Sequence, residues 1–226
     1  MKLVTWPRPD ANGTETAEYA VQFDQGRAHR LLVIPALFDE GNRMRRLTLD
    51  VMRRLDASGI DCMLPDLPGT NESLADHAAQ SLESWTAAML AAVNHFRASR
   101  VLSIRGGGLV LPKVIGGWHY APVKGATLLR QMIRARIVAA REAGREETQD
   151  GLLAEGMAKG LELNGYALGP ALVQQLQDAV PVQRDGLAVI DQDAIEGSPL
   201  WLRAEPDEDR EQADALAAMI AIGFAA

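Results

Sequence analysis

Apolar residues recur along this chain with two periods, one typical of strands and one typical of helices. Runs with strand character occupy residues 2–6, 18–24, 29–37, 60–66, 100–104, 116–123, 186–191 and 199–206. Segments with apolar residues three and four apart occupy residues 41–59, 81–96, 126–147, 169–180 and 207–222. Because strands and helices alternate in the region before residue 104, the pattern predicts a parallel sheet with right-handed crossovers.

Individual residues support these assignments. The run "HRLLVIPAL" is apolar until a proline interrupts it, which is typical of a central strand buried on both faces. Ser81 stands where a side-chain oxygen would cap the second helix, and Asn42 stands at the equivalent place in the first. The opening segment "KLVTW" is expected to pair with the strand at 18–24. The sequence therefore predicts an α/β fold with a mostly parallel sheet and helices on both of its faces.

Length and pattern together predict a single domain. A chain of 226 residues is one domain by size and can bury a sizeable core. The regular alternation loosens after residue 112, where helices dominate. We therefore assign residues 1–226 to one α/β domain and residues 124–180 to a small, helical, cap-like segment within it.

Composition excludes several classes of function. A net charge of −7 argues against a nucleic-acid partner. Cys62 is the single cysteine, and the acids Asp39, Glu40 and Asp66 do not stand at ligand spacing from a histidine, so we predict no metal. The glycine run has Leu111 where a dinucleotide-binding motif needs its last glycine, and we predict no cofactor. No apolar run approaches the roughly 18 residues of a membrane span, so we expect a cytoplasmic protein.

The loops that follow the predicted strands are where a ligand is expected, because parallel sheets bind ligands beyond the carboxyl ends of their strands. Four loops qualify, and their sequences are "PALFDEGNR", "PDLPGTNES", "RGGG" and "APVKG". A small-molecule or acyl ligand is therefore the expected partner, and a homo-oligomer is compatible with the sequence.

Five motifs carry a resemblance to a known family. They are "IPALFDEGNRMRR", "LPDLPGTNES", "SIRGGGL", "APVKGATLLRQMIRARI" and "NGYALGPAL", in the expected order over residues 29–178. The set resembles the α/β-hydrolase superfamily and, more narrowly, the exosortase A system-associated hydrolases. The resemblance implies an α/β-hydrolase fold and a hydrolase-type protein of a bacterial exopolysaccharide or protein-sorting system.

The motif "SIRGG" resembles the nucleophile elbow of that superfamily, with one departure. The elbow follows the pattern small-x-nucleophile-x-small because its strained turn leaves no room for large neighbours. Arg105 occupies the nucleophile position, and a permanently charged guanidinium cannot attack an acyl carbon. Ser103 lies two residues earlier, within the predicted strand. The narrower family also tends to carry arginine at this place, so the resemblance implies a subfamily trait.

The turn offers two interpretations of Arg105. In one, Arg105 and the backbone N–H groups of Gly106 and Gly107 bind a carboxylate or phosphate, with Leu37 and Asn42 completing the ligand-binding set.

In the other interpretation, Arg105 pairs with a buried acid, either Asp66 or Glu40, and holds loops together. The sequence leaves both interpretations open.

The histidines do not complete a Ser-His-Asp triad. The superfamily places its histidine after the last strand, whereas His119 is the last of the four histidines in this chain. His119 is the best-placed catalytic candidate, and its alternative role is that of a hydrogen-bonded structural histidine. Ordinary acyl transfer is therefore not predicted.

Three hypotheses follow from the sequence. The first is a catalytically silent hydrolase fold, a pseudoenzyme, that binds an anionic or acyl ligand near Arg105. The second is an active hydrolase of an ester-type substrate with a non-standard site. The third is a non-catalytic interaction protein that uses the helix at 126–147, whose arginines otherwise form a solvated face. Those arginines are Arg130, Arg134, Arg141 and Arg145.

Overall fold

The computed structural model describes residues 1–9 and 15–225. Over those ranges the strands are β1 Lys2–Pro9, β2 Glu15–Phe23, β3 Arg30–Ile34, β4 Asp61–Pro65, β5 Arg100–Ile104, β6 Gly117–Tyr120, β7 Leu161–Leu163, β8 Tyr166–Leu168 and β9 Leu187–Ile190. The α-helices are α1 Asp39–Ala57, α2 Leu82–His95, α3 Gly125–Glu142, α4 Gln149–Lys159, α5 Pro170–Asp178, α6 Gln192–Ile195 and α7 Arg210–Ala225.

The main sheet is mostly parallel, as predicted. Its seven strands lie in the order β1-β2-β4-β3-β5-β6-β9. β2 pairs antiparallel with both β1 and β4, while the remaining neighbours are parallel. The register places Ile34 beside Ser103 and Ile104 beside Tyr120. The carboxyl ends of β3, β5 and β6 therefore lie together at the same end of the sheet.

Helices cover both faces of the sheet. One core cluster joins one face to α2 and to the segment that contains α3, α4 and α5. The other cluster joins the opposite face to α1 and α7. Alternate residues of the central strands enter different clusters: Leu32 and Ile34 belong to the first, and Leu31 and Val33 to the second. The continuous apolar run of β3 therefore reflects burial on both sides.

The segment after β6 contains elements that the sequence pattern did not separate. The long helix predicted to end at residue 147 ends at Glu142, and α4 follows as a helix of its own. β7 and β8 then form an antiparallel hairpin. Its two-residue turn is Asn164-Gly165, and both residues have positive φ, as such turns require.

Two further sequence-based predictions are wrong. Residues 199–206 form no strand, because Pro199 precedes a short 3-10 helix, Leu200–Leu202, that buries Trp201 against the ring of Tyr120. Asn42 does not cap α1, which begins three residues earlier at Asp39. The residue at the cap position is Phe38, whose φ of 56° turns the chain sharply out of the loop after β3.

Candidate functional site

The glycine-rich turn after β5 has the geometry of an elbow. β5 ends at Ile104, and Arg105 follows with a φ of 51°, a left-handed conformation that side chains rarely adopt. A Cβ at Gly107 would lie 2.5 Å from the carbonyl oxygen of Pro35, and one at Gly106 would lie 2.8 Å from Leu128. The turn is therefore packed closely between the loop after β3 and α3.

Arg105 forms a buried ion pair with Glu40. Its Nε and Nη2 donate to the two carboxylate oxygens of Glu40 at 3.0 and 2.9 Å, and its Nη1 donates to the carbonyl oxygen of Ala121 at 2.9 Å. The guanidinium also lies over the ring of Trp201, with Cζ 4.0 Å from the ring centroid. The structure thus contains the Glu40 pairing considered above, and the paired carboxylate balances the charge of the arginine.

Ser103 and His119 form a second buried pair beneath the turn. Ser103 Oγ lies 2.5 Å from His119 Nδ1, and His119 Nε2 lies 2.7 Å from the carbonyl oxygen of Val182. Since a carbonyl only accepts, Nε2 carries the proton and the serine hydroxyl donates to Nδ1. Burial lowers the pKa of His119, which favours this neutral form.

The Ser103–His119 pair does not face open space. The two residues are 1% and 2% exposed, respectively. Neither of them lines the two cavities described below. The pair links β5, β6 and the loop before β9, and a catalytic role for His119 stays a prediction.

Two cavities flank the loop that joins β3 to α1. The larger, which we call the α3 cleft, has a volume of about 260 Å³ and lies between the start of α1, α3 and the 3-10 helix at Leu200–Leu202. Its apolar lining consists of Leu37, Phe38, Leu128, Met132, Ala135, Trp201 and Leu202. Its polar lining consists of Asp39, Glu40, Arg43, Gln131 and Asn164.

The smaller cavity lies on the other side of the same loop. This loop cavity has a volume of about 80 Å³ and includes Asn42, Arg45 and Asn71 in its lining. Asn71 donates to the buried carboxylate of Asp66 at 2.7 Å, and Arg45 lies 3.8 Å from it. Burial raises the pKa of Asp66.

The predicted ligand-binding residues are divided between these places. Leu37 lines both cavities, whereas Asn42 lines the loop cavity. Arg105 lies behind the α3 cleft, in contact with Glu40 and Trp201 of its lining. Gly106 and Gly107 pack against neighbouring loops. Binding of a ligand by this set stays a prediction.

The sequence did not identify several residues of the cleft. Asn164 Nδ2 lies 2.5 Å from Asp39 Oδ2, so the tip of the β7–β8 hairpin contacts the start of α1 at the cleft. The Asn-Gly pair at 164 and 165 is a recognised hairpin signal that would have located this tip. Trp201 carried no such signal, because its burial depends on contacts with Arg105, far away in the sequence.

Residues 1–9 and 15–225 contain neither a metal-binding cluster nor a helix that could span a membrane. No cluster of three or more histidine, cysteine or acidic side chains in this part of the chain is placed to hold a metal ion. No helix there has the length and apolar character needed to cross a bilayer.

Comparison with solved structures identifies the fold. The α/β hydrolase domain-containing protein 10 from mouse aligns with a TM-score of 0.60 at 11% sequence identity, covering 100% of this chain and 99% of that one. Est1E from Butyrivibrio proteoclasticus, with ferulic acid bound, aligns with a TM-score of 0.57 at 14% identity, covering 96% and 97%.

No protein-family model and no curated protein sequence matches the chain. At such low identities the structural likeness establishes the fold and does not extend to the activity. The chain is therefore similar to α/β hydrolases over its whole length and has the α/β-hydrolase fold.

Proposed function

We propose that this protein binds a small acyl compound in the α3 cleft and does not hydrolyse it. The observation that carries the proposal is the state of the elbow. Arg105 occupies the position of the nucleophile, is buried, and donates from Nε and Nη2 to the two carboxylate oxygens of Glu40. A group that is permanently charged and already paired supplies neither a nucleophile nor a base.

The lining of the cleft favours an apolar chain with an uncharged polar end. Leucine, methionine and aromatic side chains form most of its apolar wall. Its charges are mixed, because Asp39, Glu40 and Arg43 all line it. Arg43 Nη1 already donates to the carbonyl oxygen of Trp201 at 3.1 Å. Because the charge of Arg105 is balanced by Glu40, a free anion gains little there, and the acyl alternative is better supported than the anionic one.

The size of the cleft limits the ligand. A volume of about 260 Å³ corresponds to about nine water-sized groups at roughly 30 Å³ each. A medium-chain acyl compound has about this size, so octanamide and octanoate are suitable probes that differ mainly in the charge of the head group.

The first test is for hydrolysis. Purified wild type and Arg105→Ala are assayed with short-chain and medium-chain p-nitrophenyl esters, and with a fluorophosphonate probe that labels activated serines. We expect no turnover and no labelling above the buffer background in either protein. Turnover by the wild type that Arg105→Ala abolishes would mean that the elbow works by a mechanism that the proposal denies.

The second test is for binding. Isothermal titration calorimetry with octanamide and octanoate is carried out on wild type, Ala135→Phe and Ala139→Phe. Both alanines are exposed on α3, but Ala135 lines the cleft and Ala139 does not. We expect binding of octanamide, weaker binding of octanoate, and loss of binding in Ala135→Phe alone. Equal affinity in all three proteins, or no binding at all, would contradict the proposal.

We also propose that the chain belongs to the exosortase A system-associated hydrolases and acts in an exopolysaccharide or protein-sorting system. The five motifs over residues 29–178, with arginine at the elbow, support this. Deleting the gene in its source organism and measuring secreted polysaccharide tests it, and unchanged secretion would count against it. The cytoplasmic location, the homo-oligomer and the absence of a cofactor stay predictions.

A further inference from the structure

The outer surface of α3 carries a row of arginines, which we call the arginine ridge and define as Arg130, Arg134 and Arg141. At about 100° per residue, these three positions lie within about 40° of one another around the helix, and at 1.5 Å per residue they span about 17 Å. All three side chains are exposed. The ridge faces away from the α3 cleft, whose α3 residues are Leu128, Gln131, Met132 and Ala135. The ridge therefore does not cover that cleft.

The arginines of the ridge differ from those of the other arginine-rich helix. In α1 each arginine has a partner within the chain: Arg43, Arg45, Arg46, Arg53 and Arg54 contact the Trp201 carbonyl, Asp66, Glu208, Asp50 and Asp214, respectively. No ion pair or side-chain hydrogen bond joins a ridge arginine to another residue within 1–9 and 15–225.

The charge of α3 is not cancelled on the helix itself. Arg136, which lies off the ridge, is the arginine of α3 that pairs with an acid, Glu147. The acidic residue of α3, Glu142, lies about 120° around the helix from Arg130 at 100° per residue. The ridge is thus an uncompensated basic strip on a chain whose net charge is −7.

An apolar groove runs along one side of the ridge. It has a volume of about 160 Å³, its floor includes Leu129, Ile133 and Leu153, and Arg130 stands on its rim. At roughly 30 Å³ per water-sized group this is room for about five such groups, which is close to one leucine side chain. The groove and the ridge together offer one apolar pocket beside a basic strip.

We propose that this surface docks an acidic peptide segment of a partner protein, with one apolar side chain in the groove and carboxylates on the arginine ridge. The positive charge of the ridge is complementary to acidic side chains, and a guanidinium group can bind a carboxylate in a bidentate way, through two parallel hydrogen bonds. A lipid surface fits less well, because the apolar side of α3 is buried in the protein rather than free to insert. A nucleic acid fits less well, because the groove beside the ridge is lined mainly by aliphatic and amide side chains, whereas single strands bind by stacking their bases on aromatic ones.

The test measures fluorescence anisotropy of a short fluorescein-labelled peptide with several glutamates around one leucine. The proteins are wild type, a ridge variant with Arg130→Gln, Arg134→Gln and Arg141→Gln, and a control with the same loss of charge. The control carries substitutions at exposed arginines elsewhere, namely Arg97→Gln, Arg100→Gln and Arg210→Gln.

We expect the ridge variant to bind the peptide about tenfold more weakly than wild type. Each exposed ion pair strengthens binding by only a few-fold, and the variant loses three of them. The control variant should keep the wild-type affinity. A peptide with serine in place of leucine should bind more weakly to every protein. Raising the ionic strength from about 0.01 M to about 0.15 M, which shortens the Debye length from about 30 to about 8 Å, should weaken binding of the first peptide to wild type.

Three results would overturn the proposal. The first is equal weakening in the ridge and control variants, which would indicate a general charge effect. The second is no binding of the peptide at low ionic strength. The third is tighter binding of wild type to phosphatidylglycerol vesicles or single-stranded DNA than to the peptide, which would assign the ridge to a lipid or nucleic-acid partner.

Discussion

Removing the charge of Glu40 should destabilise the fold through the arginine that it leaves behind. In Glu40→Gln, the amide oxygen accepts one of the two hydrogen bonds that Arg105 now donates at 3.0 and 2.9 Å, and its NH2 group faces the other donor. The side chains of Arg105 and Glu40 are 9% and 7% exposed, respectively, so water does not replace the lost partner.

The size of the effect follows from this burial. Breaking a buried ion pair by neutralising one member costs about 3–5 kcal/mol, because an uncompensated charge stays inside. We expect the lower end, about 3 kcal/mol, because one hydrogen bond and the contact of Arg105 with the Ala121 carbonyl persist. At roughly 2–4 °C per kcal/mol for a chain of this length, the melting temperature should fall by about 6–12 °C.

Urea denaturation followed by circular dichroism measures this loss. Asp39→Asn serves as a matched control, because it removes a charge from the same first turn of α1 but breaks no ion pair of Arg105. Its cost should stay below about 1 kcal/mol, the usual contribution of a charge to the helix dipole. A double variant, Glu40→Met with Arg105→Met, should recover much of the stability lost in Glu40→Gln. A cost for Glu40→Gln no larger than that of Asp39→Asn would refute the reasoning.

Three further predictions concern the surroundings of the elbow. Burial lowers the pKa of His119, so the stability that its neutral form contributes is present above the ordinary pKa of 6.5 and is lost as the pH falls below that value. Between pH 7 and 5 the midpoint of urea unfolding should therefore fall more steeply for wild type than for His119→Gln. Parallel curves for the two proteins would contradict this. Gly107→Ala should cost more than Gly144→Ala. A Cβ at Gly107 would lie 2.5 Å from a carbonyl oxygen, whereas one at Gly144 meets no neighbour and costs only the strain of its left-handed φ of 72°, about 1–2 kcal/mol. Similar thermal shifts in the two variants would show that the loop after β3 gives way. Trp201→Leu should lower stability by about 2–4 kcal/mol, through lost burial and the lost contact with the Arg105 guanidinium, and a change below about 1 kcal/mol in urea denaturation would argue against that contact.

The sheet could be predicted because its strands carry their own signal. β3, β4 and β5 are buried on both faces, so each appears in the sequence as a short apolar run bounded by turn residues. The segment 199–206 has a similar apolar content but lies between two prolines and packs against Arg105 and Tyr120. Its conformation is set by those tertiary contacts, which the local pattern does not contain.

The position of the candidate site could be predicted from the sequence, but the partners of Arg105 within it could not. The small residues around Arg105 revealed the tight turn, because only such residues fit between Pro35 and Leu128. The sequence offered Asp66 and Glu40 as equal partners for the arginine. The choice of Glu40 depends on where α1 begins, and α1 begins at Asp39 rather than at the predicted cap, Asn42. A helix that began at Asn42 would leave Glu40 in the preceding loop, so the sequence pattern provided no reason to prefer the carboxylate of Glu40 over that of Asp66.

The elbow turn keeps its strained conformation in this chain although its residue is no nucleophile, and the contacts of Arg105 explain why. A non-glycine residue in the left-handed region costs about 1–2 kcal/mol, which other interactions must offset. Arg105 follows β5 and contacts Glu40 on α1, the carbonyl oxygen of Ala121 after β6, and the ring of Trp201 after β9. It therefore connects four segments at the carboxyl ends of the strands. Two of these partners, Glu40 and Trp201, also line the α3 cleft. Arg105→Ala should therefore weaken the proposed binding of octanamide in the calorimetric titration by moving the cleft walls, even though the Arg105 side chain does not itself line the cleft.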